Sequence, residues 1–169
     1  MVDFVCYPDP GLALRAVARS VDPALLASGA QLLAAQLEAR SYGLAAAHIG
    51  LNEPVIVLNL ASAGAREDVL YYNPVVLDVA DAVQMGREAS VSLPGVEVQI
   101  ARPIWAEIAF DDADGQRQIV RLDGFQARCA LHEIDQMNGV FFLSLLSRLK
   151  RDAALRKFSK TGRSTLSRG

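Results

Sequence analysis

The spacing of hydrophobic and polar positions predicts one helix, then a run of short strands, then more helix. Asp22-Pro23 opens the first helix, because Asp suits an N-cap and Pro suits the first turn. Leu25, Leu26, Leu32, Leu33 and Leu37 then recur at helical spacing as far as Arg40. Upstream, Pro8, Pro10 and Gly11 read as an extended or turn segment. Gly43 to Ile49 is small and apolar, with little bulk to fill a core alone. Asn52-Glu53-Pro54 is turn chemistry leading into Val55-Ile56-Val57-Leu58, a β-branched run that reads as a buried strand. Ser62 to Asp68 is a polar loop. Tyr71 and Tyr72 start a strand that Pro74 interrupts and Val75-Val76-Leu77 continues. Val96 to Ile100 alternates with period two, so one face should be buried. Trp105 to Phe110, whose Trp105 reads as sheet packing, and Gln118 to Leu122 flank a polar turn and form a hairpin.

Phe125 to Gly139 reads as a second helix with Gly139 just past its end, and Leu143 to Phe158 as a third, amphipathic one. The residues from Ser159 on are polar and basic without a period, and are expected to fray. The expectation is therefore a single domain over 1–160 and a polar, flexible tail over 161–169. A helix, several short strands and then helices argue for an α+β fold with an antiparallel-rich sheet.

Composition narrows the function classes. A length of 169 residues suits one domain. A net charge of −2 gives no broad electrostatic reason to bind DNA. No apolar run approaches the ~20 residues needed to span a bilayer, and the N-terminus lacks the pattern of a signal peptide. Cys6 and Cys129 are too few for a disulfide scaffold, so two free thiols in a cytoplasmic protein are expected. Cys129 reads as core.

The only two histidines, His48 and His132, both stand in unusual surroundings. His132 and Gln136 are four apart on the second helix and share a face, with Glu133 beside them. This is the layout of H-E-x-x-H, where two His hold a metal and Glu acts as base, with the second His replaced by Gln136. Two further segments precede it in order: Ser41-Tyr42-Gly43-Leu44-Ala45-Ala46-Ala47-His48 and Glu88-Ala89-Ser90-Val91-Ser92. The three together resemble the motifs of peptide deformylases, G-x-G-L-A-A-x-Q, E-G-C-L-S and Q-H-E-x-D-H, over nearly the whole chain.

The resemblance implies antiparallel-rich sheets packed around a central helix carrying the His-Glu-Ile-Asp-Gln motif, with N- and C-terminal helices. It implies hydrolysis of the formyl group from an N-formylmethionyl nascent peptide by water on a single divalent Fe, Zn or Ni ion. The metal-ligand positions are Ser90, His132 and Gln136; Glu133 moves protons; His48 and the amide of Val91 stand where the oxyanion is stabilised. Gly43 lets the backbone pass close to substrate. A serine hydroxyl and a carboxamide are poor substitutes for thiolate and imidazole, so no tightly bound metal is expected. The expected protein is an inactive or weak member that binds nascent N-termini or the ribosome, toward which the basic stretch from Arg148 to Lys160 could dock. Two alternatives remain: an active deformylase whose rebuilt metal site uses His48, His132 and Glu133, and a metal-free Ser90 nucleophile with a histidine base. Arg87 beside Glu88 reads as a surface or loop-anchoring pair.

Overall fold

The computed structural model describes residues 2–61 and 65–166, with side chains as far as Lys160. Helix α1 (Pro23–Ala39) begins where the sequence predicts: the Asp22 carboxylate accepts from the Leu25 backbone N–H at 2.8 Å. Arg40 ends it in the left-handed conformation, φ 52°. Seven strands follow: β1 (Gly43–Ala45), β2 (Val55–Asn59), β3 (Asp68–Val79), β4 (Val83–Ala89), β5 (Glu97–Pro103), β6 (Trp105–Asp111) and β7 (Arg117–Asp123). Helices α2 (Gly124–Met137) and α3 (Arg148–Leu166) complete the order. Five strands form one sheet, β1-β2-β3-β6-β7, and β4-β5 form a second. Every neighbouring pair is antiparallel. The fold is α+β.

The apolar run at 55–58 is explained by coverage of both sheet faces. Val55 and Val57 pack with Leu25, Leu32 and Ala35 of α1, whereas Ile56 and Leu58 pack with Ala127, Ala130 and Ile134 of α2. Burial of each such aliphatic side chain is worth about 1.5–3 kcal/mol. A third cluster joins Leu93, Val96 and Ile100 to Phe142, Leu143 and Ala154, fastening the two-stranded sheet to α3. Helix α2 thus lies between the two sheets, which fixes every residue on its buried face. Among the described residues no helix is long and apolar enough to cross a membrane.

Three elements differ from the sequence reading. β3 runs straight through Pro74, because the register shifts between Tyr72 and Val75 and the bulge takes up the missing donor. Asn73 sits there at φ 48°, its amide bonded to the Arg19 carbonyl at 2.7 Å and the Asp111 carboxylate at 2.8 Å. β4 was not anticipated. The third helix starts at Arg148, after a 3-10 turn at Phe142–Leu145, and continues past Phe158 to Leu166. Residues 167–169 of the expected tail and 62–64 of the polar loop lie outside the described residues.

Candidate functional site

A cleft of about 410 Å³ opens between β1, the end of β4 with the turn after it, and α2. Six of the sequence-predicted site residues line it: Gly43, His48, Ser90, Val91, His132 and Glu133. Gln136 does not. Its side chain turns elsewhere, and its Nε2 donates to the Leu12 carbonyl at 2.7 Å. The reason for glycine at 43 is visible: a Cβ there would lie 3.0 Å from Cγ and 3.1 Å from Oε1 of Glu133.

His48 is held in the 3-10 turn Ala46–Ile49, where its Nδ1 accepts from the Ala45 backbone N–H at 3.1 Å. Burial, reinforced by nearby His132, pushes its pKa down to about 3, so the ring is neutral. With Nδ1 accepting, the ring proton is on Nε2, which lies 3.4 Å from Ser90 Oγ. Ser90 Oγ also accepts from the Ser92 backbone N–H at 3.1 Å. Both lone pairs of the hydroxyl are therefore engaged. The tautomer also excludes His48 as the base for a Ser90 nucleophile, since a nitrogen that already carries a proton cannot accept one from Ser90.

His132 is oriented from behind. Its Nδ1 lies 2.8 Å from Glu88 Oε2. The same carboxylate accepts from Arg102 at 2.8 and 3.0 Å and from Arg128 Nη1 at 3.0 Å, and Arg102 reaches on to Asp135. Burial would raise the Glu88 pKa, but the hydrogen bonds from His132 and Arg102 outweigh it and bring it to about 2. For His132 burial works downward, and the bond to Glu88 with the charge of Glu133 carries the net shift upward. Glu88 is thus a buried hub and not the partner of Arg87, which instead pairs with Glu97 at 3.5 Å on the rim. Removing one member of such a buried ion group leaves the others uncompensated. Glu88→Ala should therefore cost about 3–5 kcal/mol in urea unfolding at neutral pH; a loss below about 1 kcal/mol would contradict the hub.

Glu133 is buried, with Oε2 3.6 Å from His48 Nδ1 and no hydrogen-bond partner for that oxygen. Burial pushes its pKa up to about 7, against the pull of His132. The Cys129 thiol also lines the cleft, and burial, with the charges of Glu133 and Glu88, pushes it up to about 12, so it supplies no thiolate.

These donors do not fit a divalent Fe, Zn or Ni ion. Ser90 has no free lone pair, Gln136 is turned to Leu12, and His132 alone offers a suitable atom. The alternative set His48, His132 and Glu133 is not assembled either: among the described residues no three His, Cys, Asp or Glu side chains are grouped to hold an ion. The sequence reading missed Arg102, Arg128 and Asp135. Arg128 lies four residues before His132, and that shared helix face was the signal that could have found it.

Residues 1–152 match the family model of polypeptide deformylase. The chain belongs to that family. A peptide deformylase of Agrobacterium fabrum is 34% identical over 164 residues, covering 96% of both chains. A protein of Bradyrhizobium diazoefficiens named peptide deformylase-like is 39% identical over 161 residues, covering 94% of this chain and 93% of its own. The crystal structure of peptide deformylase from Ehrlichia chaffeensis superposes with a TM-score of 0.91 at 28% identity, covering 98% of this chain and 99% of its own. The family's scaffold is retained around donors that do not suit a metal.

Proposed function

We propose that this deformylase-like protein binds the N-terminus of a peptide, of the N-formylmethionyl kind that the family resemblance implies, without releasing formate. Chiefly, the hydrogen bonding of Ser90 supports this reading: its hydroxyl is spent on His48 and Ser92 and cannot serve an ion. The cleft itself remains. β1 stands at the end of the five-stranded order, so its outer edge has no strand partner among the described residues, and an unpaired strand edge suits an extended peptide. Leu44 and Val91 give the cleft apolar wall, and Tyr42 and Phe125 meet edge-to-face at its mouth. The ligand is a free peptide or a chain emerging from a ribosome, toward which α3 offers Arg148, Lys150 and Arg151.

The test uses the full-length protein, incubated with zinc, nickel or ferrous ion and desalted. It should retain less than about a tenth of an equivalent of metal. N-formyl-Met-Ala-Ser should bind saturably by calorimetry with no formate detected. Stoichiometric metal with formate release would overturn the proposal, and so would a failure to bind peptide.

A further inference from the structure

Arg128 is an unusual residue to find on a ligand cleft. It is 9% exposed, and it lines both the cleft and a smaller pocket that Met85, Ile104 and Phe125 also line. It lies flat on Gly86, where a Cβ would come within 2.7 Å of both Nε and Cζ. Nη1 donates to Glu88 at 3.0 Å and to the Ile100 carbonyl at 2.8 Å, and Nη2 donates to the Gln84 carbonyl at 2.6 Å.

Two features leave this cation incompletely served. A guanidinium carries five N–H donors, and among the described residues Nε–H and one hydrogen on Nη2 have no acceptor. Its only carboxylate, Glu88, is also shared with Arg102 and His132, whereas Arg102 has Asp135 as a second anion. Buried cations are normally neutralised in full, and a half-served one favours an incoming acceptor.

We propose that Arg128 sets the specificity of the cleft, which takes a peptide whose N-terminal residue carries a carboxylate or other strong hydrogen-bond acceptor on its side chain in preference to a purely apolar one. The inference rests on the peptide-binding reading above. A carboxylate arriving at the free edge of the guanidinium gains a charge-assisted bond and supplies the missing counter-charge. A norleucine side chain of the same length would meet the cation and leave it unserved.

The experiment measures calorimetric affinities of the unaltered protein for N-formyl-X-Ala-Ser, with X being Glu, Gln, methionine sulfoxide, Met or norleucine. Glu should bind about tenfold or more tighter than norleucine, with Gln and the sulfoxide between, as a desolvated charge-assisted bond warrants. In Arg128→Met the order should flatten or invert, while Arg128→Lys should keep part of the preference. Met or norleucine binding as well as Glu to the unaltered protein would overturn the specificity assignment and leave peptide binding standing. Failure of every peptide to bind would overturn both. The comparison within the unaltered protein does not depend on any variant folding.

Discussion

The double variant Ser90→Cys, Gln136→His is expected to hold about one equivalent of zinc or nickel after desalting, and the unaltered chain almost none. Each change replaces a neutral oxygen donor with a ligand suited to these ions, a thiolate and an imidazole. The third ligand needs no change, because Glu88 already fixes His132 at 2.8 Å through Nδ1 and leaves Nε2 as its other nitrogen. His48 helps, since its Nε2–H, 3.4 Å from the oxygen at position 90, would donate to a thiolate there. The cost is the bond from Gln136 to the Leu12 carbonyl, about 1 kcal/mol. Even outer partners of a metal ligand are worth 10–100-fold in affinity, so restoring two ligands should tighten binding by about a thousandfold or more. Competition against a chelating dye measures it. Affinity unchanged from the parent would show that the backbone has moved too far for ligand geometry, and would remove the donor-set explanation of the altered site.

Glu133→Gln is expected to stabilise the protein above neutral pH and to leave it almost unchanged near pH 4. The folded carboxyl, buried, holds its proton up to about 7, against an ordinary value of 4.5. Between those values the native state binds more protons than the unfolded chain, so stability falls as pH rises across that window. A gap of this size is worth on the order of 3 kcal/mol once fully expressed. Glutamine imitates the protonated acid and does not ionise, so the variant escapes the loss. Because both proteins carry the same Glu88 and His132, their difference isolates this one group. Urea unfolding at pH 4 and pH 8.5 should show almost no gap at the first and a gain of about 1–3 kcal/mol at the second. Parallel pH profiles would refute the burial argument.

Much of the fold could be read from the chain because the local signals agree with the tertiary contacts. Asp22-Pro23 caps a helix, Val55 to Leu58 is buried on both faces, and the polar turn between β6 and β7 makes a hairpin. β4 escaped detection because it is mostly exposed and interrupted by Gly86, so it shows no hydrophobic period. Pro74 misled because a strand can absorb a proline only by a bulge, and bulges leave no local pattern. At the site, residue types and order were legible, while side-chain direction was not. Gln136 has the right helical spacing to join His132, and only the carbonyl of Leu12, 124 positions earlier in the chain, draws it elsewhere. Nothing local marks Arg128 as a partner of Glu88, which is buried and lies 40 positions earlier in the chain.

The tether from Gln136 to Leu12 also makes the altered site hard to reverse by small steps. A lone Gln136→His change removes one of the bonds that hold the amino-terminal segment and, with only His132 beside it, gathers no ion in return. A lone Ser90→Cys change likewise adds one donor to a pair that still cannot close around a cation. Neither single step gathers an ion, and the first also loosens the amino-terminal segment, so the scaffold works as a ratchet that favours keeping whatever the cleft now does.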